Sequence, residues 1–304
     1  MFQGIPQSVR IVEVGARDGL QNEPTPVPTE AKVRFIEMLA EAGLPVVEAT
    51  AFVSPKWVPQ LADAEQVMRT LRRREGVRYP VLVPNLKGLE RALSAGAREV
   101  AIFTAASETF CQRNLNRSIE QSLQEFEQVV HEAKAAGCWV RGYVSTAFVC
   151  PYEGVIAPES VVPIVERLLA MGVDEVSLGD TIGAAVPTQV ARLTESLLPI
   201  LPLERFAYHF HNTYGTALAN VLTALQQGVS IFDSSAGGLG GCPFAPGASG
   251  NLATEDLLYM LHGMGIDTGV DLAGVVAAAQ FILKHLQRET PPSSYLRACA
   301  RRDS

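Results

Sequence analysis

Two histidines one residue apart, His209 and His211, stand in Tyr208-His209-Phe210-His211-Asn212, at the end of an apolar run that starts at Phe206. Such a run reads as a strand, on which residues i and i+2 point the same way. Two imidazoles side by side on a rigid element can grip a divalent metal. The plainer reading is two polar residues where a half-buried strand meets solvent. Other residues fit for metal or acid–base work recur along the chain. Arg17 and Asp18 lie in Gly15-Ala16-Arg17-Asp18-Gly19, Glu48 follows Val46-Val47, and Asp180 sits in Gly179-Asp180-Thr181. Cys242 closes the glycine-rich run Ser235-Ala236-Gly237-Gly238-Leu239-Gly240-Gly241-Cys242, with Asn251 and Glu255 just beyond. Each has a structural alternative: a charged turn for Arg17-Asp18-Gly19, a helix cap for Asp180, a turn residue for Asn251, a small inert hydrophobe for Cys242. A buried Glu48 would need a cationic partner, and Arg17 is the candidate.

What must position these residues is a repeating β/α pattern. Strands are expected at Val9–Val14, Pro45–Phe52, Tyr79–Val83, Glu99–Thr104, Cys138–Thr146, Glu175–Leu178, Phe206–His211 and Ser230–Ser235. Helical patterns follow each of them: Pro28 to Gly43, Trp57 to Arg74, Leu86 to Ala95, Ser118 to Gly137 behind a Ser-x-x-Gln capping box, Pro158 to Met171, Pro187 to Leu198, Thr216 to Gln227 and Thr254 to Gly263. A last helix is expected near Leu272 to Gln287, and the stretch after Arg288 reads as a loosely packed terminus. Eight strands alternating with helices predict a parallel (β/α)8 TIM barrel, with a glycine-rich loop after strand eight and an extra C-terminal helix. A single catalytic domain is expected over residues 1–304, the barrel spanning roughly 8–265 and a helical region roughly 266–304. In such a barrel the active site gathers at the C-terminal ends of the strands, which is where all the residues singled out above fall.

Composition narrows the partners. The chain has 304 residues, 47% hydrophobic and 19% charged, which supports a large globular core. A net charge of −7 argues against a general nucleic-acid binder. No apolar run approaches the roughly 20 residues that span a bilayer, and Met1-Phe2-Gln3-Gly4-Ile5-Pro6 lacks the pattern of a signal peptide. The five cysteines, Cys111, Cys138, Cys150, Cys242 and Cys299, are scattered and form no Cys-x-x-Cys pair. A disulfide framework or structural zinc is therefore not expected, and a cytoplasmic location fits. The glycine-rich run is not a phosphate loop, because no Gly-Lys-Ser/Thr follows. It suits a mobile loop bearing one thiol.

Taken together, these residues resemble the 3-hydroxy-3-methylglutaryl-CoA lyase family over roughly residues 8 to 287. The specific segments are Val12 to Glu23, Phe52 to Pro59, Ser177 to Gly183 and Gly238 to Pro243 running on to Gly250-Asn251. Single segments are shared with isopropylmalate and homocitrate synthases; all four in order are not. The resemblance implies metal-dependent cleavage of hydroxymethylglutaryl-CoA to acetyl-CoA and acetoacetate with Mg²⁺ or Mn²⁺, as in leucine degradation and ketone-body formation. It implies Asp18, His209, His211 and Asn251 as metal ligands, Arg17 facing the enolate oxygen, and Cys242 on the active-site loop. Glu48 and Asp180 match active-site positions of the family. A small acyl-CoA is then the partner, with no nucleic acid or membrane, and a homo-oligomer of two or more copies is expected.

Two departures stand out. Asn212 replaces the usual Asp after the second histidine, which removes a charge near His211. Phe148 is bulky where a smaller residue is usual, which predicts a differently shaped acyl pocket. A lyase for a related branched 3-hydroxyacyl-CoA is therefore one alternative, and a Claisen-condensing relative of the isopropylmalate synthases is another. Condensing enzymes usually carry a C-terminal regulatory domain, for which this chain is too short. A non-enzymatic barrel would need neither metal ligands nor a thiol on one rim.

Overall fold

The computed structural model describes residues 4–240 and 250–300. Eight strands run parallel: β1 Arg10–Glu13, β2 in two pieces at Val46–Val47 and Thr50–Ala51, β3 Val81–Leu82, β4 Glu99–Ala105, β5 Trp139–Ser145, β6 Glu175–Asp180, β7 Phe206–Phe210 and β8 Ile231–Ser234. Each pairs with its sequence neighbour, and β8 pairs back with β1. The ring closes through β2. Its first piece pairs with β1 (Val12 opposite Val46) and its second with β3 (Thr50 opposite Val81). Between them Glu48 donates its amide to Glu13 and Ala49 donates to Pro80, so the strand passes from one neighbour to the next without leaving the wall. The result is the TIM barrel expected from the β/α alternation.

Helices cover the outside: α1 Thr29–Glu41, α2 Ala64–Thr70, α3 Leu86–Ser94, α4 Glu108–Leu115, α5 Ile119–Ala135, α6 Pro158–Ala170, α7 Pro187–Leu197, α8 Ala217–Gln226, α9 Thr254–Gly263, α10 Leu272–His285 and α11 Ser294–Ala300. Alternation along the strands sorts the side chains. Ile11, Val47, Val140, Val144, Leu178, Tyr208, Phe210 and Phe232 join the large core shared with the helices. The opposite faces point into the barrel, where two small apolar groups, one of Val12, Val14, Val46, Ala207 and Ile231 and one including Ala51, Leu82, Ala101 and Tyr143, share the interior with buried polar residues. No helix among the described residues is long and apolar enough to cross a membrane.

Three expectations are corrected, and one helix is added. The helix expected from Trp57 to Arg74 is only a short turn, Pro59–Leu61, and then α2. Gln60 is pinned there: its side chain accepts from the Val27 amide and donates to the Glu23 and Thr25 carbonyls, and three exposed arginines follow after Leu71. The sequence reading missed α4, although Ser107 caps it by accepting from the Phe110 amide. The stretch after Arg288 is docked, not loose, over the described residues 289–300. Asp256 accepts from the Ser293 hydroxyl at 2.9 Å and from the amides of Ser294 and Tyr295, which fastens the start of α11. Phe148 does not line an acyl pocket: it packs against Tyr208 and Phe210, ring centres 5.8 and 6.1 Å away, in the core between barrel and helices.

Candidate active site

Asp18, His209 and His211 come together at the C-terminal mouth of the barrel. One oxygen of Asp18 and one nitrogen of each histidine lie within 4.8 Å of one another. His209 and His211 share the inward face of β7 and its continuation, and their Nε2 atoms stand 3.1 Å apart. Asp18 arrives on a tight turn, Gly15–Gly19, that follows β1; the amides of Arg17 and Gly19 both donate to the Val14 carbonyl. Asn251 arrives from beyond the glycine-rich loop. The chain at 250–252 pairs antiparallel with the end of β7, the Asn212 amide donating to Gly250 and the Leu252 amide to Phe210. That pairing sets Asn251 opposite His211, with its Nδ2 donating to Asp18 Oδ2 at 2.8 Å and to the Leu239 carbonyl. Gly240 permits this approach: a Cβ there would meet Asn251 Nδ2 at 2.5 Å.

Burial disfavours charge at Asp18, but Arg17, the two histidines and Asn251 outweigh it and hold the carboxyl well below the usual carboxylate range. Burial and the neighbouring His209 push His211 down to about 3, so its ring is neutral. His209 goes the other way. Burial opposes its charge, yet its Nδ1 bonds Asp233 Oδ2 at 3.1 Å, and that carboxylate together with Asp18 raises it. A deprotonated carboxylate, a neutral imidazole and an imidazole whose far nitrogen is engaged form a donor set that fits a divalent cation. The buried Oδ1 of Asn251, which has no partner among the described residues, supplies a further oxygen.

Arg17 lies beside this group. It donates to Glu48 Oε2 through Nε at 2.8 Å and to Asp18 Oδ1 through Nη1 at 2.6 Å, and its guanidinium lies 5.5 Å from the Tyr143 ring centre. The Glu48 partner expected for Arg17 is thus in place. Burial would weaken the cation, but Glu48 and Asp18 overcome that and keep it charged.

Asp180 is placed differently. Both its oxygens accept from the Ala185 amide and one accepts from Ala184, so it shapes the turn after β6 and is not in the metal-ligand group. Burial leaves it raised to about 7. Glu255 is fully buried below the rim, accepting from the Gly237 amide, and burial raises it to about 8. The Asn212 side chain accepts from the Ala217 amide at the start of α8. Cys242 lies outside the described residues.

The geometry shows a residue that the sequence reading missed, Asp233 at the end of β8. It is paired across the strands with His209 and held by Arg141 through two bonds, Nη2–Oδ1 at 2.6 Å and Nη1–Oδ2 at 3.1 Å. Its only local signal is an acidic residue inside the apolar run Ile231-Phe232-Asp233, a hint of a buried charge with a distant partner.

The sequence profile of the HMGL-like family matches residues 8–282. The chain belongs to the HMGL-like family. It is 57% identical to the mitochondrial hydroxymethylglutaryl-CoA lyase of Bos taurus, covering 94% of this chain and 88% of that one. It is equally identical, at 57%, to the cytoplasmic 3-hydroxy-3-methylglutaryl-CoA lyase of Danio rerio, over 94% of this chain and 85% of that one. The crystal structure of the Bacillus subtilis HMG-CoA lyase superposes with a TM-score of 0.95 at 49% identity, covering 97% of this chain and 99% of that one.

Proposed function

We propose that this family member is a carbon–carbon lyase that cleaves 3-hydroxy-3-methylglutaryl-CoA to acetyl-CoA and acetoacetate. The observation that carries the reading is the convergence of Asp18, His209 and His211 beside a buried, charged Arg17 in a chain with this kinship. The bond to be broken joins the carbinol carbon to the methylene next to the thioester. The tertiary hydroxyl gives up its proton, its carbon becomes the ketone of acetoacetate, and the electron pair moves onto the thioester as an enolate. A proton delivered to the enolate carbon completes acetyl-CoA.

Asp18, His209, His211 and Asn251 would hold the cation, which when bound acidifies the hydroxyl and orients the substrate. Two imidazoles favour Mn²⁺ over Mg²⁺, which prefers oxygen ligands. Arg17 meets the negative charge that grows on the thioester oxygen. Its two anionic neighbours fix the guanidinium before the reaction, so no reorganisation is needed when charge develops. Asp18, held far below the carboxylate range, is a weak base. With His209 Nε2 held for the cation and Nδ1 engaged by Asp233, Asp18 is the group that keeps lone pairs free and would nonetheless accept the hydroxyl proton. Glu48 orients Arg17, Asp180 shapes the loop after β6, and Cys242 is the proposed donor to the enolate carbon. The cysteines described are all free, in keeping with a reducing cytoplasm.

The packing of Phe148 away from the barrel mouth removes the reason to expect an altered acyl pocket, which favours hydroxymethylglutaryl-CoA over a related branched substrate. The test is incubation with that thioester and Mn²⁺, following acetoacetate and acetyl-CoA in equal amounts. Turnover of a different 3-hydroxyacyl-CoA with none of this one would overturn the substrate assignment.

A further inference from the structure

We propose that Asp233 is a positioning residue for the metal ligand His209, fixing which ring nitrogen carries the proton. The proposal rests on the reading of His209 as a ligand. Three strands converge on Asp233 of β8. Arg141 of β5 binds both its oxygens, Ser177 of β6 donates its hydroxyl to Oδ2 at 3.1 Å, and His209 of β7 places Nδ1 at 3.1 Å from the same oxygen. A carboxylate accepts and cannot donate, so a neutral His209 must carry its proton on Nδ1. Its Nε2 lone pair is then bare and faces His211 Nε2 and Asp18. His211 makes the contrast: among the described residues its buried Nδ1 has no partner.

The bland account is that Asp233 only neutralises Arg141. That account is incomplete, because neutralising Arg141 does not require the Ser177 hydroxyl and His209 Nδ1 on the same carboxylate oxygen, and Arg141 also reaches a second carboxylate. It donates through Nε to Glu175 at 2.7 Å, and Arg10 in turn bonds Glu175 from the far end of the barrel. Charges therefore alternate along the barrel interior as Arg10, Glu175, Arg141, Asp233, and end on an imidazole. Arg141 and Ser177 together hold the carboxylate from three donors, so it cannot rotate away from His209. Metal-bound histidines are generally oriented by such a partner, whose loss weakens binding by about 10- to 100-fold.

Asp233→Asn gives a specific failure. Arg141 has only donors and claims the single amide oxygen, which turns the amide NH₂ toward His209 Nδ1. The ring must then accept at Nδ1 and carry its proton on Nε2, where the cation would bind. Mn²⁺ affinity, read by calorimetry on the full chain without substrate, is expected to fall about 10- to 100-fold. The ¹⁵N signals of His209, at a pH where the ring is neutral, are expected to switch from the Nδ1–H to the Nε2–H form. A purely structural role would lower the melting temperature without changing the tautomer. If the parent chain binds no Mn²⁺, the metal reading itself fails. If the parent binds and the folded variant binds within about twofold of it, the role of Asp233 is overturned while the site stands. Should the variant not fold, the parent alone decides, because a neutral His209 protonated on Nε2 contradicts the proposal.

Discussion

Replacing Arg17 by Gln removes the cation between Glu48 and Asp18, and the structure gives two separate costs. The first is to folding. Arg17 and Glu48 are both buried, with Nη2–Oε2 at 2.8 Å and Tyr143 adding a weaker contact to Glu48 at 3.3 Å. Breaking a buried pair strands the other charge, at about 3–5 kcal/mol. For a chain of this size that lowers Tm by roughly 10 °C. The second cost is to the reaction. Loss of one fixed donor at a developing oxyanion slows kcat on the order of 10²- to 10³-fold. Metal binding should survive, because His209, His211 and Asn251 still favour an ionised Asp18 against its burial when Arg17 is gone. The two costs separate if acetoacetate formation is followed at saturating Mn²⁺ well below the variant's Tm, with Mn²⁺ affinity measured alongside. A kcat within a few-fold of the parent and a raised KM would refute the oxyanion role and leave Arg17 holding substrate.

His211→Ala should weaken Mn²⁺ by more than the roughly 100-fold that loss of an outer partner costs, with activity falling in step; calorimetry showing unchanged affinity would move the site elsewhere. Glu255→Gln tests the buried carboxylate below the rim. Its folded value of about 8 exceeds the ordinary 4.5, so its contribution to stability is full below about 4.5 and is lost as pH rises through 8. The Gln variant should match the parent near pH 5 and melt progressively higher than it towards pH 8; a constant gap across that range would contradict the assignment. Cys242→Ala should slow turnover and leave Mn²⁺ affinity intact. Alkylation of the native parent can be read cleanly, since Cys111, Cys138 and Cys150 are buried and Cys299 is the partly exposed alternative. Mass spectrometry finding the inactivating label on Cys299 would remove Cys242 from the mechanism.

What the sequence made legible was local or repetitive. The β/α alternation announced the barrel, and a two-residue period placed His209 and His211 together. A buried Glu48 demanded a cation, which Arg17 provides at 2.8 Å. What stayed hidden depended on register between distant segments. Arg141 and Asp233 lie 92 residues apart and meet only because β5 and β8 both turn these side chains into the barrel. Ser293 and Asp256 likewise carry no sequence sign that they bond. The place of Phe148 is not legible because the inner and outer faces of the chain after β5 cannot be told apart by composition. Asp180 fits both a catalytic position and a turn, and its three amide bonds show the turn role directly.

The claim on which the rest depends is that a cation sits on two imidazoles and Asp18. Pulsed electron paramagnetic resonance of the protein loaded with one Mn²⁺ per chain tests it most directly. Nitrogen couplings from two histidines are expected, with one lost in His209→Ala and one in His211→Ala. A spectrum showing oxygen ligands alone, unchanged in both variants, would contradict the site.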